Sequence, residues 1–189
     1  MEEDQPETPE YRRVIILPNR RSFLKLHWAK EIVPPVIEHL KLNIRYNQKT
    51  NAVEFMTSSE TTNPQAMTKA VNFINAINAG FEVPDALAFL RLDDIYMDEF
   101  DVTDIKTLDG DNLSRAIGRI AGKGGQIKYS IENATRTRIS LTDSRVHIIG
   151  NDHNVAMARR VISELVMGSP ANKIHAQLQK YQAWQKRQG

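Results

Sequence analysis

Between two helical patterns the chain places Gly122-Lys123-Gly124-Gly125, and no other stretch constrains its fold so tightly. A turn this poor in side chains adopts backbone conformations closed to other residues and lets its amides come close to a ligand. Its lysine, and the N-terminus of the helix opening at Gln126, both favour negative charge. The pattern reads as a phosphate clamp joining two helices. One spans Leu113 to Ala121; the other is marked by Ile127, Ile131 and Ala134.

Three phosphate-binding designs use such a turn. A P-loop requires Gly-x-x-x-x-Gly-Lys-Ser/Thr, but Gly118 lies one residue too close to Gly122, and Gly124 stands where the hydroxyl belongs. A dinucleotide-binding turn follows a parallel strand, whereas here a helix precedes. A Gly-x-x-G loop between two helices fits both flanks; it is the device by which a K-homology (KH) module grips a single-stranded nucleic-acid backbone. The plain alternative is a glycine turn that only links helices.

The rest of the chain repeats one order of elements. Arg12 to Leu17 reads as a strand, Arg21 to Leu26 and Ala29 to Leu40 as two helices, with Pro34 and Pro35 starting or kinking the second. Leu42 to Tyr46 and Ala52 to Met56 alternate as paired strands, and Pro64 opens a helix bearing Met67, Ala70, Val71, Ile74 and Ile77. After the linker Pro84 to Asp94, with a short helix Ala86 to Leu92, the order returns. Ile95 to Val102 is an acidic strand, and Asp111 or Asn112 caps the first clamp helix. The second clamp helix is followed by a strand from Arg136 to Thr142, a turn at Asp143-Ser144, a strand Arg145 to Ile149, and a helix ending at Gly168. The expected fold is α+β: two tandem type I KH-like units (β-α-α-β-β-α) plus a C-terminal helix. The boundaries are residues 11–82, 83–94 (linker helix), 95–170 and 171–189. The first glycine of the chain is Gly80, so the first unit is a degenerate KH-like domain without Gly-x-x-G. The tail has Ile174, Leu178, Tyr181 and Trp184 at helical spacing and should fold back onto the protein or a partner.

Charge is segregated along the same lines. From Asn112 onward 13 Lys/Arg face 4 Asp/Glu, whereas Arg91 to Asp111 holds 2 against 8. A basic segment coinciding with the glycine turn is the asymmetry expected of a nucleic-acid partner. The chain has no cysteine and 5 scattered histidines, so neither a disulfide framework nor a metal site nor any other cofactor is expected. No apolar run approaches a membrane span, and the acidic start Met1 to Glu10 does not read as a signal peptide. A soluble intracellular protein is expected.

The run from Leu113 through Arg119-Ile120-Ala121 to Gly122-Lys123-Gly124-Gly125, followed by Ile131-Glu132-Asn133-Ala134-Thr135-Arg136-Thr137-Arg138-Ile139, closely resembles the partner of Nob-one (Dim-two) family of KH-domain ribosome-assembly factors. The resemblance extends over Val36 to Leu40, Asp85 to Ala88, Arg91 to Asp94, Val146 to Gly150, Ala158-Arg159 and Gly168-Ser169-Pro170, covering about residues 12 to 181. It implies a non-enzymatic factor of small (40S) subunit maturation, bound to pre-rRNA on the pre-ribosomal particle near the 3′ end of the small-subunit rRNA. The implied partners are the Nob-one endonuclease and other assembly factors, with no membrane. The implied location is the nucleus and nucleolus, with passage to the cytoplasm on pre-ribosomes. Two departures stand out: Lys128 occupies a position where KH loops commonly place an aliphatic residue, and Pro170-Ala171-Asn172-Lys173 replaces the family's Pro-Pro-Gly-Lys. The long N-terminal tail of many members is expected to be nearly absent here.

The candidate RNA-binding residues are Gly122, Lys123, Gly124 and Gly125, with Arg115, Arg119, Lys128, Arg136 and Arg138 in support. On this reading the Gly124 and Gly125 amides, with Lys123, sit on phosphates. Gly122 and Gly125 are bare because a Cβ would crowd the nucleic acid. Bases lie beside Ile120, Ile127 and the strand Arg136 to Leu141. For Arg115, Arg119 and Lys128 a solvated helix face is the competing account. Two rival functions are a KH protein acting on other RNA such as mRNA, and a metal-dependent nuclease built from Asp93, Asp94, Asp98, Glu99, Asp101, Asp104, Asp109 and Asp111. Strand alternation speaks against the nuclease, because it sends neighbouring carboxylates to opposite faces.

Overall fold

The structure, a computed structural model, describes residues 8–189; most of the acidic start lies outside them. The described residues divide between Asp93 and Asp94 into two compact units.

In the first unit, β1 (Tyr11–Ile15) leads through a tight turn into α1 (Arg21–His27), and the chain then stays helical to Leu40. A π-helical segment Trp28–Ile32, the single turn α2 (Val33–Pro35) and a second π-helical segment Val36–Leu40 follow one another without a loop. The expected break between two helices is therefore absent. Pro34 and Pro35 lack N–H groups, and their rings crowd the carbonyls one turn back. The ladder widens instead of breaking, and the Val33 amide reaches back five residues to the Trp28 carbonyl. Lys41, left-handed at φ 56°, ends the helix.

Strands β2 (Leu42–Asn47) and β3 (Ala52–Thr57) complete an antiparallel sheet of order β1-β3-β2. Onto it packs α3 (Ala66–Asn78), whose Phe73, Ile74 and Ile77 are fully buried, as are Leu24, Ile32 and Val36 of the long helix. The linker helix becomes two short turns, α4 (Val83–Ala86) and α5 (Ala88–Arg91). Arg20 closes the far end of α3: Nε donates to the Ile77 carbonyl at 2.7 Å and Nη2 to that of Phe81 at 2.9 Å. The last carbonyls of a helix have no partner within it, so this guanidinium supplies one.

The second unit runs β4 (Tyr96–Asp101), α6 (Val102–Ile105), α7 (Gly110–Ala121), a 3-10 turn Lys123–Gly125, α8 (Gln126–Thr135), β5 (Arg138–Thr142), β6 (Arg145–Gly150), α9 (Asp152–Val166) and α10 (Ala171–Gln188). Its sheet has the order β4-β6-β5, again antiparallel. Helix α6 was not expected. It is set by a capping box in which the Asp101 side chain accepts from Thr103 while Asp104 reaches back to the Asp101 amide.

Helix α7 begins earlier than expected, at Gly110 with Asp109 as N-cap, so neither Asp111 nor Asn112 caps it. The expected strand start at Arg136 is also corrected. Arg136 is left-handed at φ 52° and ends α8, and the ladder begins at Arg138. Ile120 of α7, Ile131 of α8, Ile148 of β6 and Ile162 of α9 are fully buried in one core; each contributes about 1.5–3 kcal/mol by burial. Helix α10 packs on α8 and α9 through Ile174 and Leu178. Its far end is pinned to the α9 residue Asn154, whose Oδ1 accepts from the Tyr181 hydroxyl at 2.8 Å and the Gln185 amide at 2.7 Å.

Candidate nucleic-acid interface

The turn between α7 and α8 is open. Lys123 and Gly124 are exposed, and both flanking segments are helical. Three glycines shape it: Gly122 leaves the helix at φ 73° and ψ 175°, Gly124 is left-handed at φ 63° and Gly125 is left-handed at φ 78°. Internal bonds consume the amides of Gly122 (to Gly118), Gly125 (to Gly122) and Gln126 (to Lys123). The amides left to meet an anion are those of Lys123 and Gly124, beside the Lys123 ammonium and at the N-terminus of the ten-residue helix α8. Gly125, expected to offer its amide, is spent on holding the turn.

The glycines are also bare for a reason internal to the protein. A Cβ at Gly122 would lie 2.6 Å from Cγ1 of Ile127 and 2.9 Å from its backbone nitrogen, and one at Gly125 would lie 3.1 Å from the Tyr129 ring. At Gly124 nothing stands within 4 Å. So Gly122 and Gly125 are required by the elbow itself, and Gly124 alone faces open space.

The supporting cations sort into two groups. Arg115 and Arg136 are exposed. Arg119 serves the fold, since its Nε donates to the Leu165 carbonyl at 3.1 Å and its Nη2 to that of Val166 at 3.3 Å, closing the C-terminus of α9. Lys128 donates to the Ile139 carbonyl at 3.2 Å and lies 3.4 Å from a carboxylate oxygen of Glu132. That carboxylate, 5% exposed, also accepts from the Ile139 amide at 2.9 Å, and Arg138 stands 4.0 Å from it.

The polar substitution at Lys128 thus has a partner: together with Glu132 it covers both main-chain groups of Ile139 on the sheet-edge strand β5. Glu132 was absent from the sequence-derived site; only its i,i+4 spacing from Lys128 hinted at the pair. Ile120, expected beside the bases, is fully buried, whereas Ile127 is half-buried and can line a groove.

The acidic stretch is arranged around cations and caps. Asp98 pairs with Arg159 at 2.8 Å, Glu99 with Arg145 and, at 3.6 Å, His147. Asp101 accepts from Thr103 and from the Ser144 hydroxyl, bonds that hold its carboxyl below the usual range. Among the described residues no group of three or more His, Cys, Asp or Glu is placed to hold a metal, and no helix is long and apolar enough to cross a membrane.

Comparison with known proteins agrees with this geometry. The family model for the eukaryotic type KH-domain (KH-domain type I) matches residues 99–183, from β4 into α10. The chain is 51% identical to pre-rRNA-processing protein PNO1 of Candida albicans over 169 residues, which is 89% of this chain and 61% of that protein. It is 50% identical to RNA-binding protein pno1 of Dictyostelium discoideum, over 93% of this chain and 73% of that protein. Among solved structures, Dim2p of the a/eIF2alpha-aDim2p-rRNA complex from Pyrococcus horikoshii superposes with a TM-score of 0.78 at 27% identity, covering 94% of this chain and 97% of that one. Half of all positions shared along nine-tenths of the chain, with the helix-elbow-helix in place, mean that this protein belongs to the PNO1 family.

Proposed function

We propose that this protein is a non-catalytic RNA-binding factor of small ribosomal subunit assembly. Its second unit grips single-stranded pre-rRNA near the 3′ end of the small-subunit rRNA. It acts on the pre-40S particle beside the Nob-one endonuclease and other assembly factors, in the nucleus and nucleolus and then, on the particle, in the cytoplasm. The observation that carries the reading is the solvent-open elbow Gly122 to Gly125, with unspent amides at Lys123 and Gly124. A KH module seats about four nucleotides in this way.

The relatives' role in pre-rRNA processing, and the rRNA in the archaeal complex, favour rRNA over mRNA as the ligand. Arg115 and Arg136 are placed to add phosphate contacts. Arg119 and Lys128, engaged by the fold, position α9 and β5. A nuclease reading finds Asp98 and Glu99 paired with arginines and Asp101 and Asp104 spent on a helix cap.

The test replaces Lys123 and Gly124 together by aspartate in the full chain. Gly124 is left-handed with open space around it, a conformation aspartate tolerates, so the circular dichroism spectrum should not change. Affinity for a single-stranded oligoribonucleotide of the small-subunit 3′ end, read by fluorescence anisotropy, should fall roughly tenfold or more. Undiminished affinity removes the clamp.

A further inference from the structure

Tyr129 lies outside the core and offers no phosphate contact in the clamp described above. It sits on the first turn of α8, four residues after Gly125, and the residue is 55% exposed. The elbow places the ring: it lies where a Cβ on Gly125 would approach to 3.1 Å, so the bare glycine lets an aromatic lie against the main chain of the turn. The Lys128 ammonium stands 5.1 Å from the ring centroid, within the range of a cation–π contact. Phosphate-binding amides, a ring and a cation thus adjoin one another at one helix end.

That juxtaposition suits one ligand chemistry. Sites for unpaired nucleic acid combine a cationic track for the backbone with aromatic rings on which bases stack. A base inside a duplex has no free face to offer. We propose that Tyr129 is a stacking platform for an unpaired base of the strand held at the elbow. The ring demands that this nucleotide be single-stranded while remaining indifferent to which base it carries. The inference rests on the reading of the elbow as an RNA clamp and adds to it a second contact of a different kind.

The test uses the full chain and oligoribonucleotides of the small-subunit 3′ end, with 2-aminopurine substituted at successive positions. One position should be quenched on binding to the wild type and to Tyr129→Phe. Tyr129→Ala and Tyr129→Leu should lose that quenching, and their affinity should fall about tenfold, within the roughly 5- to 150-fold that one stacked base contributes. Their thermal unfolding should not move, because the side chain is exposed. Lys123→Asp is the independent control for the clamp. If Tyr129→Ala binds and quenches like wild type while Lys123→Asp abolishes binding, the clamp stands and the platform is wrong. Wild-type behaviour of Tyr129→Leu also overturns the proposal, since apolar bulk alone then suffices. If Lys123→Asp has no effect, the elbow reading falls and this proposal with it.

Discussion

The two units share an element order, a sheet order and even their backbone irregularities. Lys41 and Arg136, both left-handed, end the helical stretch before the hairpin in each, and Asn51 and Asp143, also left-handed, lie in the hairpin turns that follow. Each unit closes the C-terminus of the helix that follows its hairpin with an arginine from earlier in the unit, Arg20 on α3 and Arg119 on α9. They differ where the helices meet. In the second unit three glycines break the helical path and expose amides; in the first, a proline pair widens the helix and the path continues. A shared scaffold therefore carries an elbow only where the ladder is interrupted, so the first unit lacks the elbow itself as well as its glycines.

The largest effect is expected at the interruption. Gly122→Ala must place a Cβ inside contact distance of Ile127 at a backbone angle that L residues avoid. It should cost the second unit about 2–4 kcal/mol, read as a drop in denaturant midpoint, and should abolish RNA binding. Gly124→Ala, with open space around it, should cost only about 1 kcal/mol. Equal effects at the two positions would remove the stated cause of the difference between the units.

A smaller effect tests what the units have in common. Arg20→Ala breaks two short charge-assisted bonds and should cost about 2 kcal/mol, and Arg119→Ala, whose bonds are longer, about 1 kcal/mol. Faster hydrogen exchange should appear at the end of α3 in the first variant and at the end of α9 in the second. Unchanged exchange in both would make the arginines decorative.

The smallest effect separates the units by pH. Burial holds His147 of β6 below the ordinary histidine value, opposed by Glu99 and reinforced by Arg145. Its neutral form belongs to the folded state, so its contribution is present above the unfolded value near 6.5 and is lost as pH falls below it. In the first unit Arg45 and Tyr11 hold the Glu54 carboxyl below its ordinary 4.5. That contribution is present above 4.5 and is lost only as pH falls through the folded value. Acidification from neutrality should therefore loosen the second unit first, visible as protection lost in β6 before β3. The reverse order would contradict both assignments.

The element order was legible because alternation marks the strands of both units, and residues such as Met67, Ala70 and Ile74 recur at helical spacing. The unbroken helix was not, since Pro34-Pro35 normally signals a boundary and only the surrounding packing makes a widened helix the better solution. At the site, glycine spacing disclosed the elbow but not its reason: Ile127 and Tyr129 meet the glycines only once the chain has turned. Arg119 and Lys128 look like free cations in sequence, because charge announces a preference for oxygen without saying whether the oxygen belongs to a phosphate or to a carbonyl of the same fold.

Helix α10 has a practical consequence. Because Ile174 and Leu178 are buried against the rest of the unit, and Asn154 tethers the far turn, a fragment trimmed at Gly168 would lose the brace behind α8 and lay bare an oily seam. Affinities measured on such a minimal piece would describe a slackened handle, and comparisons between relatives are sound only when every clone carries this last helix.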